Sequence, residues 1–235
     1  MKKSFIAIAM ALTFGFVCAV ALCVRALGGA QSVSAFDGEK MCIVIDAGHG
    51  GIDGGVVGRK TGVKESELNL AISFFIRDEL ESAGFEVVLT RKTDAGLYGT
   101  TAKGFKKRDM QQRKEIILEA NPALVISVHQ NFYASQTQRG GQVFFSTDNE
   151  KSRLLAGCIQ GKLNSLYAEK EVKNRTISSG DFFILHCAPC PSVIVECGFL
   201  SNAQDEGLLL SKAWQKRLAN SVVAGIIGYL ADGAA

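Results

Sequence analysis

The sequence predicts an α/β domain, and three observations carry that prediction. Short β-branched apolar runs without alternation, Cys42 to Ile45 and Ala123 to Val128, have the pattern of strands buried on both faces. Stretches with helical spacing stand between the strand-like runs, the first with Leu68, Ile72, Phe75, Ile76 and Leu80 on one face. Histidines or a carboxylate end three of the apolar runs, and in open α/β sheets ligands bind just beyond the carboxyl ends of strands. With 235 residues and 47% hydrophobic content, the chain can bury one sizeable core, and one domain is the simpler reading.

The chain opens with Lys2 and Lys3, followed by an uncharged run from Ser4 to Val24. At 1.5 Å per helical residue such a run can cross a bilayer of roughly 30 Å. Residues 1–30 are therefore read as a signal peptide or an N-terminal membrane anchor, 31–40 as a linker and 41–235 as the catalytic domain. That domain is expected outside the cytoplasm, secreted or anchored by its N-terminus. Small residues around Gly28 to Ala30 and Val33 to Ala35 suit cleavage, but the apolar run is long for a cleaved signal, so both outcomes stay open. No lipoprotein pattern precedes Cys18 or Cys23. The formal charge of +3 comes from Lys2, Lys3 and Arg25, which leaves 23 residues of each sign and no basic bias for nucleic acid.

From Met41 onward the elements follow in order. After the first strand, Gly48, Gly50, Gly51, Gly54 and Gly55 allow a tight turn past His49. The spacing fits neither phosphate-cradling pattern, G-x-G-x-x-G or G-x-x-x-x-G-K-[ST]. A helix opens at Glu65 and stops at Gly84, and Phe85 to Thr90 is strand-like. Thr93 to Lys107 reads as a mobile surface loop near the site, and Arg108 to Ala120 as a helix. The run ending in His129 repeats the first strand's architecture. Gly140 to Ser146 is a strand, Ser152 to Tyr167 a helix, Asp181 to Leu185 and Pro191 to Val195 two short strands, and Gly207 to Leu230 a closing helix. Of seven cysteines, Cys18, Cys23, Cys42, Cys158 and Cys197 fall where small buried residues belong. Cys187-Ala-Pro-Cys190 is a redox or half-zinc spacing, but no second pair completes it.

Two imidazoles and a carboxylate, with a fourth position left for water, form a ligand set of catalytic zinc. His49 and His129 supply the imidazoles, and Glu65, at a helix start, is the best-placed third ligand, although a carboxylate there also complements the helix dipole. Glu196, ending the Pro191 to Val195 run, is left for proton transfer during hydrolysis of a carbonyl compound. Serine chemistry fits less well, because no G-x-S-x-G is present.

Ile-Asp-Ala-Gly-His49-Gly-Gly-Ile-Asp-Gly-Gly, Lys-Glu65-Ser-Glu-Leu-Asn-Leu, Val-Leu-Thr-Arg91, Ser-Val-His129-Gln-Asn and Val-Ile-Val-Glu196-Cys-Gly-Phe-Leu-Ser-Asn occur in that order. Together they resemble the zinc-dependent N-acetylmuramoyl-L-alanine amidases of the amidase 3 type, from about Met41 to Leu230. The resemblance implies a single three-layer domain with a mainly parallel or mixed sheet and helices on both faces. It implies one zinc ion on His49, Glu65 and His129, Glu196 as the catalytic carboxylate, and cleavage of peptidoglycan between the lactyl group of N-acetylmuramic acid and L-alanine. Lys-Thr-Asp-Ala-Gly-Leu-Tyr98 and Asp-Phe-Phe-Ile-Leu are similar to the germination-specific, spore-cortex branch. That likeness implies a role in muramic-δ-lactam formation beside a partner deacetylase. Asn131 and Arg175 are the candidate substrate contacts, with Arg175 equally readable as a solvated loop cation. The rival functions are a zinc peptidase acting on another wall bond and a wall-binding module without chemistry.

Overall fold

The computed structural model describes residues 40–233. The expected signal or anchor and the linker up to residue 39 lie outside the described residues. Among the described residues, no helix is long and apolar enough to cross a membrane.

The elements are β1 (Cys42–Ala47), α1 (Glu65–Ser82), β2 (Glu86–Leu89), α2 (Phe105–Ala120), β3 (Leu124–Asn131), β4 (Gln142–Phe145), α3 (Glu150–Ala168), β5 (Ser178–Ser179), a 3₁₀ turn (Phe183–His186), β6 (Ser192–Phe199), α4 (Ala203–Leu209) and α5 (Lys212–Ala231). The sheet runs β2-β1-β3-β6-β4-β5. β2, β1, β3 and β6 are parallel, and β4 is antiparallel to β6, so the sheet is mixed.

Alternation along the strands divides the core. Ile43, Ile45, Leu124, Ile126, Val193 and Val195 face α1, α3 and α5, where they meet Ile72, Ile76, Leu155, Ile159, Leu218 and Val222. Val44, Val125 and Ile194 face the other way, onto Ile117 of α2 and Ile184, Leu185 and Cys187. Each such fully buried aliphatic side chain stabilises the fold by about 1.5–3 kcal/mol, and the charged and imidazole side chains of β1, β3 and β6 come only towards the carboxyl ends. α3 and α5 approach so closely at Gly225 that a Cβ there would lie 2.6 Å from the Cα of Ile159.

Several boundaries differ from the sequence expectation. β6 continues past Glu196 to Phe199, because Cys197 and Phe199 are themselves buried. Asp181 to Leu185 is not a strand: Ser178–Ser179 takes the edge beside β4, and Phe183–His186 winds into a 3₁₀ turn that presses Ile184 and Leu185 into the smaller cluster. The closing helix is two helices, with Asn202 capping the first through bonds from Gln204 N (2.9 Å) and Asp205 N (3.1 Å). α2 starts at Phe105, directly after left-handed Gly104. The loop before it packs onto the glycine turn, where Gly51 N donates to Asp94 O (2.5 Å) and Ile52 N to Tyr98 Oη (2.8 Å).

Candidate metal centre

β1 ends at Ala47, and the chain turns through Gly48 into His49, which sits in the left-handed region at φ 61°. A non-glycine residue there carries strain of about 1–3 kcal/mol and persists only if its surroundings hold it. Two buried arginines do so. Arg113 donates to Ala47 O (2.8 Å) and His49 O (2.6 Å), and Arg91 donates to Ala47 O (2.8 Å) and Gly48 O (3.1 Å). Arg113 is in turn held by Asp109 (2.6 Å) and Asp46 (2.5 Å). Asp46 also accepts from Thr90 (2.7 Å) and Ser127 (2.6 Å). Burial alone would raise Asp46, but Arg113 and the two hydroxyls outweigh it and hold the carboxyl at about 2. Asp46, at the end of β1 in sequence, is therefore structural.

Glu65 opens α1 and is 2% exposed. Its Oε1 meets His129 Nδ1 (2.9 Å) and accepts from Gln130 N (3.1 Å). Its Oε2 accepts from Val56 N (2.9 Å) and lies 3.4 Å from His49 Nε2. Burial would raise Glu65, but the two imidazoles outweigh it and keep the carboxylate ionised far below its usual range. The same carboxylate, with Asp53, overcomes burial at His49 and raises that imidazole to about 8. His129 lies in β3 over Gly48, where any Cβ would overlap its ring.

One donor atom from each of His49, Glu65 and His129 lies within 4.8 Å of the others. Tetrahedral bonds of 2.0–2.2 Å place ligand atoms about 3.4 Å apart, so this triad needs only small adjustments to close on an ion. Glu196 is the register partner of His129 on the adjacent parallel strand, which puts both side chains on one face. Its Oε2 is buried and, among the described residues, has no hydrogen-bond partner. Burial pushes Glu196 up to about 7, with Glu65 adding to the rise and His129 and His49 opposing it. A half-buried carboxylate with one buried oxygen left incomplete beside converging donors fits a site that receives a cation and a polar substrate.

The chain matches the family described as N-acetylmuramoyl-L-alanine amidase, Amidase 3, over residues 43–228. The chain belongs to this family. The germination-specific N-acetylmuramoyl-L-alanine amidase of Bacillus subtilis is 32% identical over 193 residues, covering 81% of this chain and 80% of the relative. The CwlD amidase of Clostridioides difficile, solved in complex with the GerS lipoprotein, superposes with a TM-score of 0.77 at 35% identity, covering 82% of this chain and 99% of that one. The catalytic domain of CwlV, an amidase from Bacillus (Paenibacillus) polymyxa, gives a TM-score of 0.68 at 28% identity over 81% of this chain and 98% of its own. The chain is therefore a peptidoglycan-directed amidase with the α/β fold of its relatives, and its likeness runs to the spore-cortex branch.

In this amidase the sequence reasoning passed over Asp53. Its Oδ2 is 3.1 Å from His49 Nδ1 and its Oδ1 is 3.2 Å from Lys106 Nζ, which orients the imidazole with Nε2 towards Glu65. The signal was present in the Gly-Gly-Ile-Asp53 repeat of small and acidic residues. Asn131 ends β3 two residues beyond His129, with Oδ1 accepting from Phe132 N (2.8 Å). Arg175 is not a solvated cation. Its guanidinium donates to Gln142 Oε1 (3.0 and 3.2 Å), Gln138 Oε1 (3.1 Å) and Arg139 O (3.2 Å), and Gln142 is the register partner of Glu196. Arg175 is thus bonded to the residue that pairs with Glu196. Cys187 and Cys190 are free and pack beneath the sheet, where burial pushes Cys187 up to about 11 and leaves it a protonated thiol.

Proposed function

We propose that the amidase cleaves the bond between the lactyl carbonyl of N-acetylmuramic acid and L-alanine, using one zinc ion held by His49, Glu65 and His129 and Glu196 as proton carrier. The observation that carries this is the convergence of the three donors beside a half-buried carboxylate whose buried oxygen is unpartnered among the described residues. The ion, when bound, supplies Lewis acidity, lowering the pKa of water towards 7 and polarising a carbonyl. Glu65, kept ionised by its neighbours, provides the negative charge that makes the site attractive to a cation. Asp53 fixes the tautomer of His49, and Arg91 and Arg113 hold the loop that presents it. Glu196, abreast of His129 with one oxygen unpartnered among the described residues, takes the proton of the attacking water and returns it to the nitrogen of the departing L-alanine.

The place of action is the spore cortex, where stem removal precedes action by a deacetylase on the bared muramic acid and leads to muramic-δ-lactam. The germination-specific relative supports this reading, and the GerS complex of the other relative makes a lipoprotein a candidate partner. Residues 1–30 serve as export signal or membrane anchor, so catalysis takes place outside the cytoplasm. Mass spectrometry of muropeptides after digestion tests the reading: new L-alanine amino termini and stem-free muramic acid should appear, and a chelator should abolish both. Any other set of new termini would overturn it.

A further inference from the structure

We infer that Arg59, stacked on Phe132 at the rim of the centre, is a specificity-determining residue that recognises a carboxylate of the stem peptide on the leaving side of the scissile amide. The inference rests on the amidase reading above. Among the described residues, every other arginine has its guanidinium hydrogen-bonded to a protein acceptor. Arg59 instead lies over the Phe132 ring, with its Cζ 5.0 Å from the centroid, and among the described residues its guanidinium makes no hydrogen bond or ion pair. Stacking costs a guanidinium none of its in-plane donors, so the group is held in place and left ready for a planar anion.

The surrounding loop is built to keep it there. Buried Glu206 accepts from Lys60 N (2.9 Å), Thr61 N (2.7 Å) and Thr61 Oγ1 (2.6 Å), pinning the residues that follow. The backbone entering Phe132 is held from its own side, where Phe132 N donates to Asn131 Oδ1 (2.8 Å). The rim also stands at a useful distance. Arg59 N donates to Leu200 O (3.2 Å) and Leu200 N to Asn131 O (2.9 Å), which ties Arg59 to the carboxyl ends of the strands carrying Glu196 and His129. Asn131 is two residues past His129, roughly 7 Å at the strand rise, and an extended peptide covers the same span in two residues.

Charge decides which side of the substrate lies there. In the scissile amide the lactyl carboxyl is already consumed, so the muramoyl side offers no anion, whereas the residue after L-alanine bears a carboxylate. A single charge-assisted hydrogen bond to that group favours it by about tenfold over its neutral amide.

The test is a competition between two N-acetylmuramoyl dipeptides whose terminal D-glutamyl γ-carboxyl is capped as the methylamide, one with a free α-carboxylate and the other with that group as the neutral amide. The unmodified enzyme should favour the acid about tenfold in kcat/KM. Arg59→Gln should bring the ratio close to one, with the loss falling in KM, Arg59→Lys should keep part of it, and Phe132→Leu should lower it in the same direction. A folding or metal defect lowers both substrates together and leaves the ratio alone, so the ratio reads recognition only. An unchanged ratio in Arg59→Gln overturns the inference. If the unmodified enzyme cleaves neither compound, the amidase reading fails on its own account, and the Kd ratio for the same pair with and without Arg59 still decides the recognition claim.

Discussion

Two buried charge clusters lie at the carboxyl ends of the same strands, and they are treated in opposite ways. Around Asp46 every oxygen is used: Arg113, Thr90 and Ser127 close the carboxylate, and it is held at about 2. Around Glu196 one oxygen has no partner, and the carboxyl is pushed to about 7. Asp46 is fully buried and Glu196 half-buried with its Oε2 shut away from solvent, so lost hydration bears on both and does not by itself separate them. Completeness does: a satisfied buried charge is scaffold, and one left short of partners is available for proton transfer.

The largest expected effect comes from breaking the complete cluster. Arg113→Met leaves Asp46 and Asp109 buried without their cation and frees the His49 carbonyl, so stability should fall by about 3–5 kcal/mol in urea unfolding at pH 7. A loss below 1 kcal/mol would mean that the cluster is not scaffold. Glu196→Gln addresses the other side: hydrolysis should fall by roughly a hundredfold or more, with zinc content and melting temperature retained. Zinc lost from Glu196→Gln but kept in Glu65→Gln would exchange the two assignments.

pH sharpens the contrast. Asp46 binds its proton more weakly folded than unfolded, where it titrates near 3.8, so its contribution is complete above about pH 5 and disappears as pH falls through 2. The shift corresponds to roughly 2 kcal/mol, and Asp46→Asn should flatten the acid limb of a stability profile by that amount. Glu196 has the opposite sign: its raised pKa stabilises the protonated form, an advantage lost as pH rises through 7. The smallest effect is expected at the orienting carboxylate, where Asp53→Asn should weaken zinc binding by about tenfold in chelator competition while leaving the fold unchanged.

Much of this could be read from the chain. The unalternating runs before His49 and His129 announced buried strands, and their terminal imidazoles marked the site. The carboxylate at the start of α1 completed the triad, because helix starts next to glycine turns lie at the same edge of the sheet. What stayed hidden depends on contacts between distant residues. Nothing local shows that Arg113 reaches Asp46 across 67 positions, or that Arg175 spends its donors on Gln142 and Gln138. Phe182 to Leu185 has strand composition but finds no free edge beside β4. The break at Leu210 and Ser211 is invisible because apolar spacing continues through it, although Gln215 seals it by bonding to Leu209 O (2.7 Å).

The pairing of His129 with Glu196 across β3 and β6 has a consequence for how such enzymes diverge. Neighbouring rungs of a parallel ladder keep these side chains abreast, while the intervening excursion, from Asn131 to Ser192, leaves the ladder and comes back. The surface turns of that excursion can be lengthened or trimmed without moving acid relative to imidazole, while its strand β4 and helix α3 stay fixed in the sheet and core, so new control can be grafted onto old chemistry at little cost.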